Sequence, residues 1–190
     1  MELTEQTDGQ LLDLARDGHF EAFGCLVDRH KNPIVNYLTR LTGNRDRAED
    51  LAQETFVRLY ENRDRYIDQG KMSSYLYRIA GNLVRSEARR ARRWSLLRPI
   101  FQSSNGASHH EPAQHNRVVQ SEIGKQLQKA LSTLPFKYRT PIVLAEIEEW
   151  SYREIAEFLG CQEGTVKSRI HRGKRMLRDQ LAPLWNGSHP

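Results

Sequence analysis

Cysteine is scarce in this chain, with only Cys25 and Cys161 among 190 residues. Two cysteines cannot build the disulfide framework of a small secreted domain. Both lie in apolar helical patterns, so we expect two buried, reduced thiols and a reducing compartment. No apolar run reaches the ~20 residues that span a bilayer, and the first residues are too acidic and polar for a signal peptide. These absences predict a soluble, cytosolic protein without membrane insertion.

Patterns typical of enzymes and metal sites are also missing. No segment resembles a phosphate-binding loop, a hydrolase triad or a metallohydrolase helix. His109, His110 and His115 lie near one another, but their surroundings lack both cysteine and helical periodicity, which disfavours an ordered zinc site. We therefore expect no catalytic activity, no bound metal and no cofactor.

Helical periodicity dominates what is present, and strand signals are almost absent. Over residues 99–117 the periodicity stops, and Pro, Gly, Ser, Asn and His accumulate, as in a flexible linker. We predict an all-α protein of two small helical domains, residues 1–96 and 118–190, joined by a flexible linker over residues 97–117. The C-terminal domain is predicted to contain a helix-turn-helix.

Five helices are predicted in the N-terminal domain from apolar spacing, breakers and caps. They start after Asp8, at the Phe20–Val27 stripe, near Pro33, at Asp46 (running to Tyr60) and at Ser73 or Ser74. In the C-terminal domain, spacing resumes over Val118, Ile123, Leu127, Ala130 and Leu131, and Pro135 and Pro141 bracket a turn and the start of a helix carrying Ile142, Val143, Leu144 and Ile147.

The helix-turn-helix is predicted from two short apolar rhythms. Gly160 can end the first helix with a positive φ, and Thr165 can help start the second. Val166, Ile170 and Leu177 then share the buried side of the second helix. The opposite side carries Ser168, His171, Arg172 and Arg175, with Lys167 and Lys174 flanking it, Arg169 nearer the packed edge and Arg178 extending the basic rim.

Charge on this second helix is unbalanced. Between Glu163 and Arg178 there are six Lys or Arg and one acid, although the whole chain carries only +5 from 29 basic and 24 acidic residues. Unpaired cations on one face are less typical of a solvated surface helix than of a helix that enters the major groove of DNA.

Two other clusters each allow two interpretations. Glu49, Asp50, Gln53 and Glu54 lie on the outer side of the Asp46–Tyr60 helix; they are either a solvated face, which composition favours, or a docking surface for a basic protein.

The tract from Arg85 to Arg98 holds six arginines, Glu87 and Trp94, with Tyr75, Tyr77 and Asn82 just upstream. It is either a track for single-stranded nucleic acid, or a solubilising helix end next to two half-buried tyrosines.

Three motifs in order resemble those of extracytoplasmic-function sigma factors, the smallest bacterial RNA polymerase specificity subunits. They are Arg47-Ala48-Glu49-Asp50-Leu51-Ala52-Gln53-Glu54-Thr55-Phe56, Tyr77-Arg78-Ile79-Ala80-Gly81-Asn82 with the trailing arginines, and Ser151 to Leu177. The resemblance covers residues ~8 to 182. It departs from the family at Arg47, where an acid is usual, at Tyr75, where Trp is frequent, and at Gln162, where Pro is common.

The resemblance implies a protein that binds core RNA polymerase, recognises promoter DNA and promotes strand opening, and that is inhibited by an anti-sigma factor. It implies that Glu49, Asp50, Gln53 and Glu54 contact the clamp of the largest polymerase subunit, β′. It assigns Tyr75, Arg78, Asn82, Arg85, Arg89 and Arg90, with the loop before Ser74, to the minus-ten element. It assigns Thr165, Lys167, Ser168, Arg169, His171, Arg172 and Arg175 to the minus-thirty-five element.

Two other functions are compatible with part of the chain. A stand-alone helix-turn-helix regulator explains the C-terminal domain, but it gives no role to the acidic helix or the second arginine tract. A DNA-processing enzyme such as a recombinase requires a nucleophile in a catalytic constellation, which the sequence does not show.

Overall fold

The computed structural model of the protein describes residues 2–97 and 122–186. All regular secondary structure in these ranges is helical, which confirms the predicted all-α fold class. A short 3-10 turn, Leu3–Glu5, comes first. The α-helices that follow are α1 (Asp8–Arg16), α2 (Phe20–Thr42), α3 (Arg45–Glu61), α4 (Met72–Leu97), α5 (Glu122–Thr133), α6 (Phe136–Glu146), α7 (Tyr152–Leu159) and α8 (Glu163–Asn186).

Helix α2 is the centre of the N-terminal half, which comprises α1 to α4. It packs against α1, α3 and α4, and its buried side includes Ile34, Tyr37, Leu38 and Leu41. Gly43 ends α2 with a φ of 74°, a conformation that other residues rarely adopt. The side chain of Asn44 then accepts a 2.9 Å hydrogen bond from the backbone N–H of Arg47 and starts α3. Thus the polypeptide reverses direction in two residues and brings α3 back along α2.

Pro33 lies inside α2 and does not begin a separate helix, so that prediction is wrong. A proline in a helix interior costs ~3 kcal/mol or more. The turns around it bury Leu26 and Ile34, and each such side chain contributes roughly 1.5–3 kcal/mol when fully buried. Continuous packing therefore outweighs the lost hydrogen bond. Phe20 also departs from its predicted inward stripe, because it is 71% exposed at the start of the helix.

Helix α3 has the buried face that its spacing predicts. Six residues opposite the acidic side chains are buried: Ala48, Leu51, Ala52, Thr55, Phe56 and Leu59. Helix α4 differs at its start, because it begins at Met72, before the predicted caps Ser73 and Ser74. Met72 is almost fully buried, and this burial draws the first turn of α4 onto the core.

The C-terminal half comprises α5 to α8 and contains the predicted helix-turn-helix in α7 and α8. Ser151 and Glu154 form a capping box at the start of α7, and Gly160 ends it with a φ of 63°. Helix α8 begins at Glu163, so Thr165 lies in its first turn and does not start it as predicted. The backbone N–H of Thr165 donates to the carbonyl of Gln162 at 2.9 Å, which satisfies one of the free donors of that turn.

Helices α5 and α6 depart from their predicted core in several places. Ile123 is 72% exposed, and Leu127 and Ile147 are also exposed. The side of α5 that faces the core carries Gln128, which was not predicted there, together with Ala130 and Leu131, which were. Helix α6 begins at Phe136, directly after Pro135, so Pro141 lies within it and does not mark its start.

The two cysteines are free, but both are half-buried and not buried as predicted. Cys161 also follows the Gly160 cap and so lies outside α7. None of the helices in the described ranges combines the length and apolarity that crossing a bilayer requires. Within the same ranges no group of three His, Cys, Asp or Glu side chains could hold a metal ion.

Several predicted features fall outside the described residues. These are residues 98–117 of the linker with His109, His110 and His115, and also Val118 and the side chain of Trp94. The bounds of the predicted linker and domains remain a prediction.

Arg139 fastens the turn between α5 and α6, and its replacement by alanine is expected to be destabilising. Its guanidinium donates to the carbonyl of Leu134 at 2.7 Å and also to the carbonyls of Ser132 and Leu41, and burial lowers its pKa below the usual value. We expect Arg139→Ala to lower the free energy of unfolding by about 2–4 kcal/mol, since three carbonyls lose a charged donor. Urea unfolding followed by circular dichroism measures this loss.

Arg153→Ala is the matched control for this measurement. Arg153 is an exposed arginine of α7 that pairs only with Glu157 among the described residues, at 3.5 Å. Its loss should cost at most about 0.5 kcal/mol. Equal losses for the two variants would contradict the assigned role of Arg139.

Candidate polymerase and DNA interfaces

The acidic face of α3 lies on its outer side, as predicted. Glu49, Asp50, Gln53 and Glu54 are all exposed. The three carboxylates are already paired with arginines of the same helix: Glu49 with Arg45 at 2.9 Å, Asp50 with Arg47 at 3.2 Å and Glu54 with Arg58 at 2.8 Å. Exposed pairs of this kind contribute little to stability, so a basic partner can replace these arginines at small cost.

Val57 is a member of this face that the sequence analysis missed. It is 51% exposed and follows Gln53 by four residues and Glu54 by three, so it lies beside both on α3. Val57 could have been recognised from the sequence, because it is an apolar residue outside the buried stripe of an amphipathic helix. The face thus offers an apolar centre within a charged rim, an arrangement typical of protein–protein interfaces.

Arg47, which departs from the family pattern, connects this face to α4. Its guanidinium pairs with Glu87 of α4 as well as with Asp50, and its Nε lies 3.3 Å from Glu87 Oε2. This bridge links the acidic helix to the helix that carries the predicted minus-ten residues.

Helix α4 carries the predicted minus-ten residues along its exposed side. Arg78, Asn82, Arg85, Arg89 and Arg90 are exposed. Their spacing of three, four and seven residues keeps most of them on one face of the helix. This face therefore offers a row of cationic and amide donors, as a nucleic-acid strand requires.

The two tyrosines upstream differ from each other. Tyr77 is buried, with 5% exposure, and so cannot contact bases in this arrangement, in line with the interpretation of it as a core residue. Tyr75 is half-buried, and its ring lies 4.5 Å from that of Tyr66. Burial, followed by the nearby carboxylate of Asp68, raises the pKa of Tyr66 to about 12.

The loop before α4, residues 62–71, is anchored by Arg16 of α1. The guanidinium of Arg16 donates to the carbonyl of Arg63 at 2.8 and 2.6 Å and also to the carbonyl of Tyr66. Since carbonyls bonded to a guanidinium are costly to release, Arg16 holds the base of the loop against the N-terminal half. No local pattern in the sequence indicates this role of Arg16.

Helix α8 presents the predicted minus-thirty-five residues. Lys167, Ser168, His171, Arg172 and Arg175 are exposed, while Thr165 and Arg169 are half-buried. Val166, Ile170 and Leu177 are buried on the opposite side, which confirms the predicted division of this helix into a packed and an exposed side.

Tyr138 of α6 lies next to this face and was not identified from sequence. Hydrogen bonds from Lys137 and Arg172 lower the pKa of its hydroxyl below the usual value. Tyr138 therefore adds a polar hydroxyl next to Arg172, at the edge of the cationic face.

The tertiary structure brings only some of these residues together. Arg78, Asn82 and Arg85 line a cavity between the two halves, and its opposite wall includes Phe158 of α7. The acidic face of α3 and the exposed side of α8 do not contribute to this cavity.

Family comparisons agree with both halves of the fold. The model of sigma-70 region 2 matches residues 26–94, and the model of sigma-70 region 4 matches residues 124–177. Among solved structures, the chain resembles the sigma factor RpoE in complex with the anti-sigma factor NepR from Bartonella quintana, with a TM-score of 0.64 and 26% identity over 82% of this chain and 94% of that chain. It also resembles CnrH in complex with the cytosolic domain of CnrY, with a TM-score of 0.63 and 25% identity over 96% and 99%.

Curated relatives extend over nearly the whole chain. The ECF RNA polymerase sigma factor SigW of Bacillus subtilis is 38% identical over 175 residues, which covers 89% of this chain and 94% of that protein. The ECF RNA polymerase sigma-E factor of Haemophilus influenzae is 30% identical over 184 residues, or 94% and 97% of the two chains. The chain therefore belongs to the extracytoplasmic-function family of alternative RNA polymerase sigma factors.

Proposed function

We propose that this sigma factor docks on core polymerase through α3, reads duplex DNA through α8 and captures an unpaired strand along α4. The observation that carries this proposal is the presence of three exposed faces of different chemistry on one chain of sigma factor fold. No covalent bond changes in these steps, so the protein acts by binding alone. Because core polymerase and the chromosome are cytoplasmic in bacteria, we place its action there.

Polymerase docking is assigned to the face formed by Glu49, Asp50, Gln53, Glu54 and Val57. Its carboxylates can exchange their intrahelical arginines for cations of the β′ clamp, and Val57 can enter an apolar site between them. The packing of α3 on α4 sets the angle between this face and the strand-binding helix, and the exposed ion pair of Arg47 with Glu87 adds one contact between them. Docking would thus also orient the strand-binding helix on the polymerase.

Duplex recognition is assigned to the exposed side of α8. Arg172 and Arg175 suit bidentate contacts to guanine, and Ser168 and His171 can bond other base edges. Thr165, Lys167 and Arg169 lie where phosphate contacts would set the register of the helix in the groove.

Single-strand capture is assigned to Asn82, Tyr75 and the basic row of Arg78, Arg85, Arg89 and Arg90. Extruding a base costs a few kcal/mol, and a pocket that binds only the extruded base makes strand opening dependent on sequence without any use of ATP. The tether between the two halves would raise the effective concentration of one DNA element once the other is bound.

Asn82→Ala is expected to impair strand opening and to leave duplex binding unchanged. The amide offers a donor and an acceptor to a base edge, and losing this contact should reduce open-complex formation about tenfold. Permanganate reactivity of unpaired thymines in a promoter complex measures the effect. Asn36→Ala, at an exposed asparagine of α2, is the matched control, and equal reactivity in the two variants would contradict the assignment.

An anti-sigma factor is the inhibitory partner that we propose. The two solved structures described above hold sigma factors in complex with NepR and with the cytosolic domain of CnrY. The similarity of this chain to both supports a dedicated inhibitor for it as well.

Transcription with purified core polymerase tests the proposed function. The protein should direct the enzyme to discrete start sites on a genomic library, and run-off sequencing would show a shared pair of upstream elements. A protein that binds duplex DNA but neither co-purifies with core polymerase nor directs initiation would instead be a stand-alone helix-turn-helix regulator.

A further inference from the structure

The cavity bordered by α2, α4, α6 and α7 contains groups that the proposed function leaves without a role. Its volume is about 230 Å³. This is below the ~300 Å³ of the smallest usual ligand pockets, but above the ~150 Å³ that holds one benzene molecule in a protein interior. Its α4 wall carries the exposed side chains of Arg78 and Arg85, so the cavity is accessible from solvent. Its size suits a molecule of one ring with a small polar group.

Positive charge is concentrated on the α4 wall of this cavity. Arg78 and Arg85 are two helical turns apart on one face of α4, and neither guanidinium pairs with a carboxylate among the described residues. The carboxylate of Glu157 also lines the cavity, but Lys71 and Arg153 each lie 3.5 Å from it. The cavity therefore favours an anion, and a guanidinium binds a carboxylate through two parallel hydrogen bonds.

Two aromatic rings line the same cavity. Phe136 of α6 and Phe158 of α7 are both half-buried there. The guanidinium of Arg85 lies 5.3 Å from the centre of the Phe136 ring, so a cation and an aromatic surface meet at this point. Aromatic rings prefer offset or edge-to-face contact with one another. The cavity thus offers an aromatic surface to a planar ring and a cation to a negative group at the edge of that ring.

Two buried hydroxyls at the cavity have no hydrogen-bond partner in the part of the chain that the structure describes. They are Oη of Tyr37 and Oγ1 of Thr140, and the two residues, which both line the cavity, are 0% and 2% exposed. Burial, followed by the carboxylate of Glu148, raises the pKa of Tyr37 above the usual value, against the opposite effect of the Arg85 charge. The hydroxyl therefore keeps its proton. Because buried polar atoms without partners are costly, an oxygen that accepts from these hydroxyls would offset that cost.

Gly81 leaves space at the inner end of the cavity, between Tyr37 and Phe158. It lies on the cavity wall, and a Cβ atom at this position would be 3.0 Å from Tyr37 Oη and 3.8 Å from Phe158 Cζ. A side chain here would therefore enter the space between the buried hydroxyl and the aromatic ring. Glycine is unfavourable inside a helix relative to alanine, and in α4 it keeps this space open.

We propose that this cavity is a binding site for a small aromatic carboxylate with a single ring, of the size of benzoate. The ring lies against Phe136 and Phe158, and the carboxylate accepts hydrogen bonds from Arg85 and from the hydroxyl of Tyr37. Such a ligand contacts helices of both halves of the chain. Its binding requires neither polymerase nor DNA, so this site goes beyond the proposed function and is tested independently of it.

Titration of the isotopically labelled full-length protein with sodium benzoate, followed by NMR at constant ionic strength, tests the site. We expect saturable shifts of the amide signals of Gly81 and Thr140, with a dissociation constant of about 1 mM or lower. Acetate, which lacks the ring, and benzyl alcohol, which lacks the charge, should each bind at least about tenfold more weakly. Absence of saturable benzoate binding up to about 10 mM, or equal affinity for benzoate and either of the other two probes, would overturn the proposal.

Tyr37→Phe distinguishes binding in this cavity from binding elsewhere on the protein. It removes only the buried hydroxyl, so benzoate affinity should fall about tenfold. Thermal unfolding should show no loss of stability, because the removed oxygen has no partner among the described residues. Gly81→Ala should weaken binding at least as much, because its methyl group fills the inner end of the cavity.

Tyr60→Phe is the matched control for these variants. It removes the same atom from a half-buried tyrosine of α3 that does not line the cavity, and it should bind benzoate as the wild type does. Equal affinities of Tyr37→Phe and Tyr60→Phe would show that benzoate binds at another place and that the assignment to this cavity is wrong. None of these measurements uses polymerase or DNA, so their failure is distinct from a failure to initiate transcription.

Discussion

Reversing two charges of the acidic face, Asp50→Lys with Glu54→Lys, is expected to weaken binding to core polymerase by about 100-fold. Both side chains are exposed, so the fold should remain intact. The new lysines would repel the cations that the face attracts, and they would also repel Arg47 and Arg58, which now pair with the two carboxylates. Titration of the labelled protein with purified core polymerase measures the change.

The control for this variant carries the same change in net charge at another site. Glu21 and Asp28 are exposed residues of α2, and Glu21→Lys with Asp28→Lys should bind core polymerase within about threefold of the wild type, because long-range effects of exposed charges are screened at physiological salt. If both double variants lose affinity equally, the docking surface is not on α3.

Replacing either of two residues on α8, Arg172→Ala or His171→Ala, is expected to weaken minus-thirty-five binding selectively. The loss should be about 10- to 100-fold on the preferred sequence and should be small on sequences changed at one or two base pairs, because a base contact contributes roughly 1–3 kcal/mol of discrimination. Dissociation constants for a panel of duplexes, each with one base pair changed, measure the loss of affinity on the preferred and on the changed sequences at a stated salt concentration.

Arg178→Ala provides the contrast for these two variants. Arg178 is exposed on α8 two turns beyond His171. Its replacement should weaken binding to all duplexes equally and lower the salt dependence of that binding, as expected for a phosphate contact. A uniform loss in Arg172→Ala and His171→Ala would show that they too contact only phosphates.

Local periodicity was sufficient to predict the exposed faces. The six buried residues of α3 and the three of α8 repeat every three or four positions, so their outer sides followed without knowledge of any neighbour. Periodicity did not predict which side of α5 faces the core. Ile123 and Leu127 share the spacing of a core face, yet α5 turns Gln128 inward to bond backbone carbonyls of α2.

Local signals also did not determine whether a stretch of the chain forms one helix or two. Pro33 is a usual helix start, and only the core that flanks it on both sides favours one helix from Phe20 to Thr42. Val57 likewise appears as an unremarkable apolar residue until the structure places it outside the core. In both cases the outcome depends on which positions pack against residues distant in the chain, and a local pattern does not contain that information.

The amino-acid order by itself determined the helical class, the turn at Gly160 and the three chemically distinct faces, because each depends on residues within a few positions of one another. Only the tertiary structure decided that Tyr77 faces Glu148 and Trp150, more than 70 residues away, and that Asn82 lines a cavity together with residues of α7. That contact joins two halves that each have their own apolar stripes. Its geometry depends on how the two surfaces fit together, and the spacing of residues along the chain does not predict that fit.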